Sequence, residues 1–463
     1  MKKVFVKIQT LALEKPILFL MIVGVLVRVL IAIAYSNQVS IFNDTESYIP
    51  LAERLSTLDL KGYDGLRTPG YPLLLAIAGI HFSIVVFIQT LLGILSSVLL
   101  FKISFRLKNH IPLALINGLS LSFFLHILFY ERAILTETLT LCALVVCLWY
   151  LVRIDFFKTQ KKDAITNVQS LLLGILMAVV FLIRPMFIVI TPLVVVCFLI
   201  IYRHLKFLKI VIQVFLIGMP ALASYQAWSM LNFYNTDYKT VTVFSGMNLA
   251  QNCVYFIDNA DDSHAALRDV YVRKRDSVIA NDGDVSMSIW RVYEALKAKE
   301  NITVAELSQR FDPMNKELIR ENPLAYSKQV GISWLAFWEE YVLWNYNAFK
   351  HNIPKWILSG TWLYIQRPLL FLINGAFLVI SFIMIIRHIR KKELSLNFYL
   401  FCVLLTLGSS LGQALVIYGN NGRFSVPFLP FIIVVVSHFL YETYFIKKIT
   451  PKNHKNSSIF NVS

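Results

Sequence analysis

Long apolar runs recur along almost the whole chain, and most charged residues lie in the stretches between them. A membrane-spanning helix needs about 20 mostly apolar residues, because the hydrocarbon core of a bilayer is about 30 Å thick. Ten runs approach this length, at residues 16–35, 82–101, 111–129, 135–153, 169–184, 186–203, 209–227, 363–386, 396–417 and 424–444. The pattern predicts an all-α polytopic membrane protein with about ten transmembrane helices.

Two polar segments interrupt these runs, at residues 36–81 and 228–362. In the first, apolar residues recur at helical spacing over 41–55, so we expect a helix that lies along the membrane surface. In the second, 286–298 and 304–320 have the periodicity of amphipathic helices, and 239–244 is compatible with short strands. We expect surface-lying helices in the first outer loop and a small, mostly helical outer domain.

These segments divide the chain into four predicted parts. Residues 1–227 form an N-terminal transmembrane module that contains the catalytic first outer loop, 36–81. Residues 228–362 form an extracytoplasmic domain, and 363–449 form the C-terminal transmembrane helices. The last part, 450–463, is polar and is predicted to be a disordered cytoplasmic tail.

Composition and charge agree with a membrane location. Hydrophobic residues make up 57% of the 463 residues and charged residues only 16%, which excludes an ordinary soluble enzyme. The net charge of +16 is concentrated in loops that become cytoplasmic if the N-terminus is inside, whereas segment 228–362 carries 16 carboxylates and 14 basic residues. The positive-inside rule then places both termini in the cytoplasm and both polar segments outside an inner, cytoplasmic membrane. No nucleic-acid partner is expected.

The first candidate site follows the first apolar run, in the sequence from Asn43 to Tyr48. Asp44 lies near the predicted start of the surface helix, where a carboxylate suits an N-cap. The same position, beside the outer edge of the bilayer, suits a general base. Glu46 competes with Asp44 for this role, and capping and catalysis are compatible.

A second candidate site precedes the second apolar run, in the sequence from Arg67 to Pro72. Pro72 suits the first turn of a helix, so free backbone N–H groups near Thr68 or Gly70 would lie close to the Arg67 guanidinium. This combination predicts an anion site. The alternative is a plain turn with Arg67 as an interfacial anchor.

Further charged residues are predicted on the same outer face. Glu137 lies near the outer end of the fourth run, Arg184 between the fifth and sixth, and Arg423 between the last two. Charges at membrane depth are costly and tend to face internal cavities, so they are candidate functional residues. A base together with several cations suits a reaction in which a hydroxyl is activated while a phosphate leaves. We expect no cofactor; a divalent cation would suit these carboxylates by type, but no recognisable spacing supports one.

These motifs resemble those of a known family. The sequence Asn43–Tyr48 is followed by Arg67–Pro72 and then by an apolar helix. This order of motifs resembles the first outer loop of the integral-membrane GT-C glycosyltransferases. The resemblance is closest to the bacterial branch related to protein O-mannosyltransferases and lipid A aminoarabinose transferases. The sequences 131–137, 184–185 and 423–430 are similar to later motifs of the family.

The resemblance implies inverting transfer of a sugar from a polyprenyl-phosphate donor to a glycan, lipid or protein acceptor on the outer face. It implies that Asp44 is the base, with Glu46 and Glu137 as further catalytic candidates. It implies that three arginines and one tyrosine bind the lipid phosphate, namely Arg67, Arg184, Arg423 and Tyr71. A transporter or flippase of lipid-linked saccharides and a glycan polymerase or ligase remain the alternatives.

Overall fold

The computed structural model describes residues 2–158, 165–391, 396–419 and 421–446. Helices dominate these ranges, and no β-strand occurs within them. The α-helices are α1 (Lys2–Glu14), α2 (Pro16–Ala34), α3 (Asn43–Thr57), α4 (Gly70–Ile77), α5 (Phe82–Lys108), α6 (Ile111–Phe123), α7 (Leu125–Tyr130), α8 (Glu137–Arg153), α9 (Asn167–Ile183), α10 (Ile190–Ile201), α11 (Phe207–Thr236), α12 (Ser245–Asn252), α13 (Ala265–Ala280), α14 (Ser288–Glu300), α15 (Val304–Glu321), α16 (Pro323–Phe337), α17 (Asn352–Thr361), α18 (Arg367–Lys391), α19 (Phe398–Val416) and α20 (Leu429–Tyr441).

Short 3-10 turns and two π-helical turns connect some of these helices. The 3-10 turns are Pro185–Val189, Ile257–Asn259, Asp262–His264, Val285–Met287, Tyr346–Ala348, Asn421–Phe424 and Val426–Phe428. The π-helical turns are Trp362–Gln366, which joins α17 to α18, and Glu442–Ile446, which follows α20.

Within the described ranges, six helical segments are long and apolar enough to cross a bilayer, which confirms an all-helical membrane protein. They are Pro16–Ala34, Phe82–Lys108, Phe207–Thr236, Asn352–Arg390, Phe398–Val416 and Asn421–Tyr444. The other four predicted runs correspond to α6, α8, α9 and α10, which have only 13, 17, 17 and 12 residues. Length therefore supports six spans, and the count of ten stays a prediction.

The long helices carry apolar side chains on their outside. On α2, Leu26, Leu30 and Ile33 are exposed, whereas Arg28 is buried and makes a bidentate ion pair with Glu131 at 2.5 and 2.7 Å. Lipid is an apolar solvent, so an inward arginine paired with a carboxylate and an outward apolar face is the stable orientation.

Segment 36–81, called the first outer segment below, forms two helices, α3 and α4, which pack on each other. Tyr48, Leu51 and Ala52 are buried on one face of α3, whereas Ile49 and Leu55, which carry the apolar periodicity together with Ala52, are only partly buried. The N-terminus of α4 lies close to the C-terminal end of α9, because a Cβ atom on Gly70 would approach the backbone nitrogen of Ile183 to 2.6 Å. Glycine permits this contact between the two helix ends.

A short backbone clip joins the chain before α3 to the chain before α8. Ser40 N–H donates to Arg132 O at 2.9 Å, and Ile134 N–H donates to Ser40 O at 3.1 Å, which forms an isolated parallel bridge between Ser40 and Ala133. Thr45 Oγ1 adds a hydrogen bond to Ile134 O at 3.0 Å. The clip brings the starts of α3 and α8 together.

Segment 228–362, called the outer segment below, has a hydrophobic core of its own, which includes Met247, Ile289 and Phe311. The predicted helices 286–298 and 304–320 correspond to α14 and α15. The expectation of short strands at 239–244 is wrong, because these residues form bends and turns. Their backbone groups pair elsewhere: the Asn232 amide donates to the carbonyls of residues 240 and 241, and Val243 N–H donates to Gly65 O.

The division of the chain into four parts stays a prediction. The predicted disordered tail, 450–463, lies outside the described residues.

Candidate active site

A cavity of about 620 Å³ lies where the first outer segment meets the outer segment and the end of α19. Its lining has three kinds of surface. One is charged, with Asp44, Arg67, Arg184 and Arg423; one is mainly apolar, with Phe181, Ile183, Ile188, Val189 and Tyr225; one is polar, with Asn248, Gln251, Ser286, Ser409 and Gln413. The cavity thus combines the features of an anion site, an apolar groove and a polar pocket.

Asp44 is held between two arginines. Its Oδ1 accepts from Arg67 Nη2 at 2.7 Å and its Oδ2 from Arg423 Nη2 at 2.5 Å. The N-cap of α3 is Phe42, so the interpretation of Asp44 as an N-cap is wrong. The Thr45 hydroxyl accepts from Phe42 N–H in the first turn, which leaves the Asp44 carboxylate for the guanidiniums.

The electrostatic environment keeps Asp44 ionised. Burial opposes ionisation, but the guanidiniums of Arg423 and Arg67 outweigh it and hold the pKa of Asp44 well below its ordinary value. A carboxylate in this state is a poor proton acceptor until at least one arginine is drawn to another anion.

Arg67 is fixed by contacts on several sides. Its Nε donates to Ser47 Oγ at 2.7 Å, and its guanidinium lies 4.7 Å from the ring centroid of Tyr48 and 5.2 Å from that of Phe244. Its backbone carbonyl accepts from Trp228 Nε1 at 3.3 Å. Packing against two aromatic faces holds the planar guanidinium at the cavity wall.

Glu137 brings the remaining two arginines together. Its Oε1 lies 3.1 Å from Arg184 Nη2 and 3.0 Å from Arg423 Nε. Glu137 is the first residue of α8 and is fully buried, behind the residues that line the cavity. Arg184 follows α9 directly, and its guanidinium lies 4.7 Å from the Phe424 ring centroid.

The charged cluster has an excess of positive charge. Three guanidiniums face two carboxylates, and Arg184 Nη1 is buried without a hydrogen-bond partner among the described residues. A buried donor without a partner is costly, and an anion that entered from the cavity would satisfy it. The cluster therefore suits a phosphate.

Two predicted site residues lie differently from the others. Glu46 is exposed and is not part of the cavity lining, so the structure separates it from the arginines. Tyr71 lines the cavity but is fully buried, and its hydroxyl donates to Gln89 Oε1 at 3.1 Å. Its ring packs edge-on against Tyr48 with the centroids 5.0 Å apart, so it supports the residue on which Arg67 lies.

Several residues at the site were not singled out from the sequence. Phe244, Trp290 and Gln413 lie in segments whose pattern predicts only a loop or a buried helix face. Tyr341, an aromatic residue of segment 228–362, also contacts the site, because its hydroxyl accepts from Arg423 N–H at 3.2 Å. A polar residue in an apolar run, such as Gln413, was the one available signal.

Within the described ranges, no group of three His, Cys, Asp or Glu side chains lies close enough together to hold a metal ion. Asp44 and Glu137, the two carboxylates of the cluster, are each paired with arginines. The expectation about cofactors stays a prediction.

No family model and no curated protein sequence matches the chain. Among solved structures, a similar one is the archaeal oligosaccharyltransferase AglB from Archaeoglobus fulgidus, in complex with an inhibitory peptide and a dolichol-phosphate. The TM-score is 0.44 at 10% sequence identity, and the match covers 96% of this chain and 53% of that one. The chain thus spans about half the length of this similar structure, and a likeness at this level defines neither its fold nor its function.

Proposed function

We propose that the protein is a membrane glycosyltransferase that moves a sugar from a polyprenyl-phosphate donor to an acceptor on the outer face of the cytoplasmic membrane. The observation that carries this proposal is the position of Asp44, between Arg67 and Arg423 at the wall of a cavity with an apolar side. A carboxylate base beside phosphate-binding guanidiniums is the minimum that such a transfer requires.

The donor phosphate would bind at the arginine cluster. Arg67 and Arg423 each present a guanidinium at the cavity wall, and the partnerless Nη1 of Arg184 offers a further donor. The apolar surface, with Ile183, Ile188 and Val189, suits the prenyl chain that carries this phosphate. A lipid-borne anion satisfies both surfaces at once, whereas a free nucleotide would leave the apolar surface unused.

Asp44 would act as the base once the donor is bound. The phosphate competes with Asp44 for the two guanidiniums, so donor binding raises the pKa of Asp44 from its depressed value. In a single inverting displacement, the acceptor hydroxyl loses its proton to Asp44 as its oxygen bonds to the anomeric carbon. The bond from that carbon to the phosphate oxygen breaks, and the arginines stabilise the leaving phosphate.

Three finer parts of this proposal come from the motifs and the charge distribution of the sequence. They are the bacterial branch of the GT-C enzymes, the inner membrane and the cytoplasmic location of both termini. Glu137 is assigned to positioning Arg184 and Arg423, since it is buried behind them and pairs with both. Tyr71 is assigned to supporting the phosphate site through Tyr48.

The test is donor turnover by the purified full chain in nanodiscs. Radiolabelled polyprenyl-phosphate sugars should release free polyprenyl phosphate, and Asp44→Asn should lower this rate about 100-fold or more without lowering the melting temperature. Arg67→Ala should weaken donor binding more than acceptor binding. Glu46→Gln is the matched control, because it neutralises a carboxylate on the same helix that is exposed and outside the cavity lining.

Two outcomes would contradict the proposal. Normal turnover in Asp44→Asn would remove Asp44 from the mechanism. Movement of the lipid between leaflets without release of polyprenyl phosphate would identify a flippase instead.

A further inference from the structure

The cavity extends beyond the arginine cluster into a polar pocket at the end of α19. Ser409 and Gln413 lie one helical turn apart on one face of this helix, and both line the cavity. The same lining includes residues of segment 228–362, namely Asn248, Gln251, Asp284 and Ser286. The cationic side chains of the lining, Arg67, Arg184 and Arg423, all belong to the cluster described above.

The polar groups of α19 lack partners. Gln413 is 3% exposed, and neither its Oε1 nor its Nε2 forms a hydrogen bond with the described residues. Ser409 is 2% exposed, and its hydroxyl is likewise without a partner in those ranges. Buried amides and hydroxyls are normally hydrogen-bonded, so a stripe of unsatisfied groups at a cavity wall indicates a ligand that satisfies them.

Aromatic rings connect this pocket to the arginine cluster. The Phe244 ring lies 5.2 Å from the Arg67 guanidinium, and the Trp290 ring lies edge-on to Phe244 with the centroids 5.6 Å apart. Trp290 is half-buried and lines the cavity. A ligand that contacted Trp290 would therefore lie one aromatic ring away from the proposed phosphate site.

The outer wall of the pocket is held by hydrogen bonds. Gln251 Nε2 donates to Ser286 O at 3.0 Å, and Asp284 Oδ1 accepts from the N–H and hydroxyl of Ser286 at 3.0 and 2.7 Å. Asn252 Nδ2 donates to Ala414 O at 3.0 Å, which ties this wall to α19. The wall from segment 228–362 is thus preorganised and fixed to α19.

We propose that this pocket binds a neutral saccharide, and that the acceptor in the proposed transfer is the sugar of a glycan. The inference rests on the proposed function and adds the acceptor class to it. An amide that both donates and accepts, together with a hydroxyl, matches the vicinal hydroxyls of a sugar, and an aromatic ring matches its C–H face. This part of the described lining holds one carboxylate, Asp284, and no cation, which favours a neutral, hydroxyl-bearing ligand over an anionic one.

The test measures saccharide binding separately from donor binding. Saturation-transfer NMR on the full chain in nanodiscs uses chitobiose, mannobiose, lactose and maltose as probes, with a serine- and threonine-containing peptide as the competing class. Polyprenyl-phosphate binding is measured on the same samples. We expect at least one disaccharide to bind and the peptide not to bind.

Two variants address the pocket directly. Gln413→Leu removes both unpaired groups at similar volume and should preserve or raise the melting temperature while it weakens disaccharide binding about tenfold or more. Trp290→Ala should weaken it similarly. Leu411→Ala, on the exposed side of α19, and Trp356→Ala, which removes an exposed tryptophan of α17, are the controls and should bind normally.

The outcomes separate the two proposals. Disaccharide binding that is lost in Gln413→Leu but kept in Arg67→Ala supports the pocket. If no disaccharide binds, if binding ignores Gln413 and Trp290, or if the peptide binds instead, the saccharide assignment is overturned while the donor assignment stands. If the wild-type protein binds disaccharides but neither binds nor turns over the lipid donor, the proposed function fails by itself.

Discussion

At the scale of single residues, the ionised form of Asp44 is stabilised by the two arginines that hold its carboxylate in place. Arg67 and Arg423 each take one carboxylate oxygen, which is why its pKa is depressed despite burial. The sequence indicates Asp44 and Arg67 because both follow recognisable motif patterns beside apolar runs. It does not indicate that Arg423, 379 residues later in the chain, also pairs with Asp44. Only the packing of distant helices brings these two residues together.

Removing Arg423 should change the pH dependence of turnover. Without its charge, burial acts on Asp44 with only Arg67 in opposition, so the pKa of Asp44 rises. We expect the acid limb of the kcat/KM profile to lie about one pH unit or more higher in Arg423→Gln than in the wild-type protein. Arg106→Gln, which removes a guanidinium paired with Asp155, is the control and should leave the profile in place. An unshifted limb in Arg423→Gln would contradict the electrostatic coupling.

Glu340 should make stability depend on pH. It is 5% exposed, its Oε1 accepts from Ser425 Oγ at 3.1 Å, and burial raises its pKa to about 7. The folded protein therefore holds this proton more tightly than the unfolded chain does, so the stability it contributes is full below about pH 4.5 and is lost as the pH rises through about 7.

The measurement is the melting temperature of Glu340→Gln minus that of the wild-type protein, between pH 5 and pH 8. We expect this difference to increase with pH, because glutamine keeps a polar group beside Ser425 and has no charge to bury. A difference that stayed constant over the range would show that Glu340 does not titrate there.

At the scale of elements, amphipathic helices are the best predicted part of the fold. The helices α14 and α15 lie within a few residues of their predicted bounds, because an apolar stripe and the Thr303–Glu306 capping box mark them locally. Residues 239–244 alternate like a strand but have no strand partner, and side-chain amides and turns satisfy their backbone instead. Pairing depends on the rest of the fold, so sequence periodicity could not decide it.

The contact between α4 and α9 should be sensitive to one methyl group. A Cβ atom on Gly70 would lie 2.6 Å from Ile183 N, a backbone atom that cannot move aside alone. Gly70→Ala should therefore push the start of α4 away from the end of α9, displacing Arg67 from Arg184. We expect a lower melting temperature and donor affinity about tenfold weaker.

Gly408→Ala is the matched control for this prediction, because a Cβ atom there meets nothing within 4 Å. Alanine is favoured over glycine inside a helix by roughly 0.5–1 kcal/mol, so this control should be neutral or slightly stabilising. Equal donor affinity in both variants would show that the close contact does not position the arginines.

At the scale of the whole molecule, charge and hydropathy predict the class of protein but leave the number of spans open. The membrane class follows from average composition, to which every apolar run contributes. The number of spans depends on whether helices of 12–17 residues, such as α6 and α10, cross the bilayer with their neighbours. That depends on tilt and packing, which run length alone does not encode.

The predicted orientation can be tested with single cysteines. The five native cysteines are all buried, so their reaction with a maleimide reagent should be slow. A cysteine at Leu58, which is 88% exposed in the first outer segment, should react with a membrane-impermeant maleimide added to spheroplasts. A cysteine at Lys158, whose side chain is 53% exposed, should react only after permeabilisation. The reverse pattern would invert the topology and place the candidate site in the cytoplasm.

The clip between Ser40 and Ala133 fixes the positions of Asp44 and Glu137 relative to each other. Asp44 follows Ser40 by four residues, and Glu137 follows Ala133 by four residues. The number of residues in these two intervals therefore determines where both carboxylates lie relative to the clip. One inserted or deleted residue within either interval would move a carboxylate by up to about 3.4 Å, which is more than an ion pair tolerates. Changes in chain length should therefore be excluded from these two four-residue intervals, whereas substitutions that keep the count can be absorbed.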